Sequence, residues 1–138
     1  MLAREGAVIL FPEGTRTRTG ALLPGKAGIG KLVVSSRATV VPTWVGGSFT
    51  AMPPGAKLFR PAKVRVAFAQ PRRWEDWDGI GDDREGYQTI SDHVMQEIFA
   101  LSERYALRST RPHLEESRRN LRPGGPERAV GSRLESYQ

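Results

Sequence analysis

The 138-residue chain carries 21 lysines and arginines against 15 aspartates and glutamates, with no cysteine and only two histidines. Absence of cysteine excludes a disulfide framework and a thiolate metal site, and His93 and His113 lie too far apart in sequence to suggest a metal cluster. The length allows one modest core, no apolar run approaches the ~18 residues of a membrane span, and the +6 balance favours anionic partners such as phospholipid surfaces or nucleic acid.

Met1 leads into a charged segment without the pattern of a signal peptide, so a cytoplasmic setting is expected. Ala7 to Phe11 is apolar and partly β-branched, which predicts a short buried strand ended by Pro12, a residue with no amide hydrogen for a ladder. Glu13-Gly14-Thr15-Arg16 then occupies the turn past the strand's carboxyl end, where open α/β sheets bind ligands. Gly14 permits close backbone approach to a ligand, and the planar fork of Arg16 suits a phosphate or carboxylate. Thr17 to Pro24 reads as a polar loop. A helix is expected from Gly25 to about Arg37, with Ile29, Leu32 and Val33 on one side.

Val40 to Val45 predicts a second strand, with Pro42 limiting which edge it can occupy, and Gly46-Gly47 ends it. Residues 48–61 read as a loop broken by Pro53-Pro54-Gly55. Lys63 to Ala69 alternates Val64, Val66 and Phe68 against Lys63, Arg65 and Ala67, the pattern of a half-buried strand. Trp74 to Gly81 is an acidic, aromatic connector. Asp82-Asp83-Arg84-Glu85 offers a capping box, and Tyr87, Ile90, Val94, Ile98, Leu101 and Tyr105 form one apolar helical stripe. His93 and Gln96 fall off that stripe on the solvent side. From Arg108 onward seven arginines, four glutamates and Pro123-Gly124-Gly125-Pro126 predict a mostly disordered tail. A solvated tail is preferred there over a nucleic-acid contact, because stacking aromatics are nearly absent.

The hexamer Phe11-Pro12-Glu13-Gly14-Thr15-Arg16 resembles the third signature block of the glycerolipid acyltransferase family, the lysophosphatidic acid (1-acylglycerol-3-phosphate) acyltransferases. Leu2-Ala3-Arg4-Glu5-Gly6 resembles the lead-in to that block, Thr17-Arg18-Thr19-Gly20 its exit, and Pro24-Gly25-Lys26-Ala27-Gly28 the Lys-x-Gly that follows. Val40-Val41-Pro42 resembles the fourth block, with Thr43 where a second valine is common. The likeness covers roughly residues 1–75. It implies an α/β fold, a mixed sheet flanked by helices, with residues 1–107 as the carboxyl-terminal portion of the acyltransferase domain and 108–138 as the tail.

The same resemblance implies transfer of a fatty acyl group from coenzyme A or acyl carrier protein to lysophosphatidic acid or a similar lyso-phospholipid. No cofactor or metal is implied beyond that thioester, and the setting is peripheral to the inner face of an anionic membrane. Arg16 and Lys26 are then expected to hold the glycerol phosphate, Gly14 and Thr15 to supply an amide and a hydroxyl, and Glu13 to fix the turn or accept from an acceptor hydroxyl. For Arg18 a solvated loop charge is the preferred reading. The family's upstream His-x-x-x-x-Asp pair is not present: five residues after His93 stands Ile98, and five after His113 stands Arg118. A truncated or misassigned start explains this better than a rewired site, and the chain alone is expected to be inactive.

Two other readings compete. A non-catalytic module binding anionic lipid would keep the phosphate turn without the base, with Phe49, Met52, Leu58 and Phe59 meeting a bilayer interface. More weakly, Gly20 to Lys26 fits seven positions of a nucleotide-binding P-loop, but Ala27 stands where a magnesium-ligating Ser or Thr belongs.

Overall fold

Helix α3, the segment Arg84–Tyr105, is the longest element and the one against which the others pack. The computed structural model describes residues 6–106 and 111–122. In chain order these form α1 (Gly28–Ser36), β1 (Thr43–Gly46), α2 (Ser48–Ala51), β2 (Arg65–Phe68), a 3-10 turn (Trp74–Trp77), α3, a second 3-10 turn (Arg111–His113) and α4 (Leu114–Asn120).

The stripe expected on α3 is the core. Ile90, Val94 and Ile98 are buried with Met95, and they meet Val33 from α1, Trp44 from β1 and Trp77 from the 3-10 turn. Tyr105 and Leu101 pack at the margin. The start of the helix lies one residue later than the sequence suggests. Asp83, not Asp82, is the N-cap, its carboxylate accepting from the Gly86 amide at 2.8 Å, so Glu85 falls outside the capping-box position. Arg37 closes α1 in the left-handed region at φ 51°, its amide donating to the Val33 carbonyl.

Two glycines let α1 and its lead-in lie directly on α3. A Cβ on Gly30 would stand 2.0 Å from the Tyr87 carbonyl oxygen, and one on Gly25 would stand 2.3 Å from Ser91 Oγ. Gln88 then reaches over to donate to the Gly25 carbonyl at 2.9 Å.

The mixed sheet is reduced, among the described residues, to two antiparallel strands, with Trp44 opposite Ala67 and Val45 opposite Val66. Val40 adds a single antiparallel bridge to Arg72. An alternation such as that of residues 63–69 ordinarily turns its apolar set inward. Here Ala67 packs towards α3 beside Trp44, and Arg65 is anchored by a 2.9 Å bond to the Tyr105 carbonyl. Register leaves the opposite set, Val64, Val66 and Phe68, facing solvent with Val45, and Phe68 is 68% exposed. Alternation fixes a period, and the anchor on α3 decides which half is inside.

Ala7 to Phe11 corrects a second expectation. It takes no strand partner among the described residues, and Ile9 and Phe11 are 87% and 75% exposed. A buried strand needs neighbours on both edges and both faces, and the described residues supply none. Within the span expected to be disordered, residues 111–122 instead form the second 3-10 turn and α4, with Ser117 and Asn120 buried. Residues 1–5, 107–110 and 123–138 lie outside the described residues, and with them most of the motif lead-in and the Pro-Gly-Gly-Pro breaker.

Gly30→Ala places a methyl against α3 backbone, which cannot yield as a side-chain tip would. It should cost about 3 kcal/mol of stability in equilibrium urea unfolding, whereas Gly28→Ala, with open space around its Cβ, should not.

Candidate functional site

The signature turn is built by backbone first. The Gly14 amide donates to the Phe11 carbonyl at 3.0 Å, closing a turn around Pro12 and Glu13, and Gly14 sits at φ 66°, in the left-handed region. The next carbonyl, that of Pro12, accepts from the Lys26 amide at 2.9 Å. This bond brings the entry to α1 against a turn twelve residues earlier. Lys26 folds its side chain over Gly14: a Cβ there would stand 3.1 Å from Lys26 Cδ and 3.2 Å from its Nζ. Glycine at 14 is favoured by its φ, and a Cβ there would also press on the end of the lysine that crosses it.

Glu13 points the other way. Its carboxylate accepts from the Leu23 amide at 2.8 Å, holding the far end of the loop, and it is half-buried. Burial raises its pKa above the ordinary 4.5, opposed in part by the Leu23 bond. Thr15 and Arg16 follow on the exposed side of the turn. Neither Arg16 nor Lys26 forms an ion pair with a described carboxylate, so both positive charges stay unspent. The structure therefore brings Glu13, Gly14 and Lys26 together, with Arg16 beside them on the turn.

The loop from Thr17 to Leu23 is held by residues that give little sign of this in the sequence. Thr17 Oγ1 accepts from the Gly20 amide at 3.1 Å, and Ser117 Oγ on α4 accepts from Leu22 at 2.8 Å. Asn120 donates to the Leu22 carbonyl at 3.0 Å, and the Thr19 hydroxyl donates to Glu116 at 2.9 Å. The His113 imidazole closes on Gly20 and meets the Phe49 ring edge-on at 5.5 Å. Only the three-residue spacing of Ser117 and Asn120 hints that one face of α4 is polar and inward.

These bonds also weigh against the nucleotide reading. A P-loop cradles phosphate with free main-chain amides. Here the amides of Gly20, Ala21, Leu22 and Leu23 all donate to side chains of the protein itself. Neither histidine stands at the turn in a base-like setting: His93 is exposed on α3 beside Arg72 and Glu97, and His113 is stacked between Gly20 and Phe49. Among the described residues no group of His, Asp and Glu suits a metal ion.

Residues 1–46, which span the turn, α1 and β1, match the family model described as Acyltransferase. Over this part the chain is similar to the glycerolipid acyltransferases, and the matches support that family for it. Among curated proteins it is similar to a 1-acyl-sn-glycerol-3-phosphate acyltransferase of Limnanthes douglasii, 38% identical over 78 residues, which covers 55% of this chain and 28% of that one. The protein of the same name from Cocos nucifera is 36% identical over 72 residues, 52% of this chain and 23% of that one. The Brassica napus 1-acyl-sn-glycerol-3-phosphate acyltransferase BAT2, named as chloroplastic, is 36% identical over 72 residues, covering 51% and 21%. The aligned part spans about a quarter of the length of these relatives. No solved structure matches.

The state of Glu13 yields a pH test. A folded pKa above the unfolded one favours the proton in the folded protein, so the stabilising contribution is complete below about pH 4.5 and is lost as pH rises through the folded value. Glu13→Gln keeps an acceptor for Leu23 and does not ionise. Its melting temperature should therefore gain on the wild type between pH 4.5 and 7; parallel curves would show that Glu13 ionises without cost.

Proposed function

We propose that this chain supplies the acceptor-phosphate half of an O-acyltransferase site that acts on lysophosphatidic acid or a related lyso-phospholipid. The observation that carries the reading is Lys26 laid over Gly14, with exposed Arg16 on the same turn and neither cation neutralised by an internal carboxylate. Arg16 offers a bidentate fork to phosphate oxygens, and Lys26 a compact charge at the entry to α1. The Gly14 amide, expected to face the phosphate, is spent on the Phe11 carbonyl, so Thr15 is left to offer its main-chain amide and hydroxyl. Glu13 acts as a positioning residue, spent on the Leu23 amide rather than on an acceptor proton.

In the transfer, the acceptor hydroxyl loses its proton to a base, its oxygen attacks the thioester carbonyl, and the thiol of coenzyme A or acyl carrier protein leaves. The names of the relatives support this acceptor class. The base belongs to sequence outside these 138 residues, in the His-x-x-x-x-Asp block of the family, and the chain alone is inactive. No helix among the described residues is long and apolar enough to cross a membrane. The site works at the periphery of an anionic membrane, on its inner face.

Glycerol 3-phosphate binding to the 138-residue chain, followed by NMR titration, tests the phosphate role without requiring turnover. Removing one charge-assisted contact is worth roughly 1.5–3 kcal/mol, so Arg16→Ala and Lys26→Ala should each weaken binding at least about tenfold. Unchanged affinity in both variants would overturn the reading. Acyl transfer by the chain alone, abolished by Arg16→Ala, would overturn the assignment of the base to sequence elsewhere.

A further inference from the structure

A headgroup site has to meet the bilayer that holds its substrate, and the stretch after β1 has the composition to do it. From Gly14 to Trp74 the sequence carries eleven lysines and arginines and no aspartate or glutamate, whereas Glu75 to Tyr105 carries nine carboxylates. Within the cationic stretch one loop is both apolar and pinned. The Arg60 amide donates to the Ala51 carbonyl at 2.8 Å, and the Ala56 amide to the Pro53 carbonyl at 3.0 Å, with Gly55 at φ 81° turning the chain. Pro53, Pro54 and Pro61 stiffen it further. Its tip presents Leu58 and Phe59, 81% and 77% exposed, between the exposed cations Lys57, Arg60 and Lys63.

The helix leading into this loop is linked to the segment after the signature. Phe49, on the helix α2 that leads into it, packs on His113, and His113 packs on Gly20 of the loop that follows Arg16. After Lys63 the outward residues Val64, Val66 and Phe68 of β2 continue the apolar surface. Two exposed apolar side chains flanked by cations, on a stiff and closed loop, match the chemistry of a membrane interface: hydrocarbon for the tip, anionic headgroups for its flanks. A second copy is the poorer occupant, because the facing loops would bring like charges together.

We propose that the 52–63 loop docks the protein on an anionic lipid bilayer, with Leu58 and Phe59 entering the interface and Lys57, Arg60 and Lys63 resting on headgroups. This rests on the lyso-phospholipid reading above and adds to it the surface through which the bilayer is met.

Co-sedimentation of the full chain with phosphatidylcholine vesicles, with and without phosphatidylglycerol, tests it. The wild type should partition onto the anionic vesicles and lose affinity as salt rises. Leu58→Ser with Phe59→Ser should lower that partition at least about tenfold, while glycerol 3-phosphate titration and the melting temperature stay as in the wild type. Lys57→Gln, Arg60→Gln and Lys63→Gln together should flatten the salt dependence. The proposal is overturned if the wild type does not partition, if the double serine variant partitions equally, if neutral vesicles bind as well, or if the double variant dissolves a dimer of the chain. Loss of vesicle binding in that variant alongside absent phosphate binding in the wild type would sink the headgroup reading and leave the docking loop standing.

Discussion

The close approach of α1 to α3 is the constraint from which the rest follows. At Gly30 the two helices meet main chain to main chain, and at Gly25 the lead-in to α1 lies on Ser91 and Met95. No side chain fits in either gap, and at Gly30 the distance is set by backbone rather than by rotamers. Because Lys26 is the next residue after Gly25, that contact also fixes where its chain begins. The core residues Val33, Ile90 and Val94 then fill the space the approach defines.

From that base the signature turn is positioned by main-chain bonds and one half-buried carboxylate. Pro12 and Lys26 are joined through backbone, Glu13 reaches Leu23, and α4 closes on Leu22 from the other side. Each such bond is worth only about 1 kcal/mol net, yet together they leave the loop few alternatives. Arg16 and Lys26, the groups proposed to hold phosphate, form by contrast no ion pair among the described residues. A site that is to exchange its ligand is held rigid around its charges, not through them.

How much of this could be read from sequence depended on how local the cause was. The α3 stripe was legible because 3.6-residue periodicity is a property of one segment: Ile90, Val94, Ile98, Leu101 and Tyr105 lie in the core or at its margin, and of the six expected positions Tyr87 alone does not, its hydroxyl turning to Asp82. The Phe11–Arg16 hexamer was legible for a similar reason, since glycine at φ 66° is a demand made within one turn. Ala7 to Phe11 failed because composition speaks of burial while burial needs partners elsewhere. Residues 63–69 failed more subtly, the period being right and the inward face wrong, since Arg65 is captured by the carbonyl end of α3. Nor did the arginine-rich composition past residue 108 disclose α4, whose inward face is serine and asparagine rather than leucine. The cap at Asp83 shows the finer limit: two adjacent aspartates compete for one position, and geometry chooses.

The bonds from Thr19 to Glu116 and from Leu22 to Asn120 join residues separated by 97 and 98 positions. Such contacts span about two thirds of the chain, and closing them is slow compared with forming α1 or α3. On the ribosome the segment after the signature emerges early and waits for nearly a hundred further residues before its last restraints exist. The loop after the signature is therefore among the last parts of the molecule to set, and among the first to loosen when α4 lifts away.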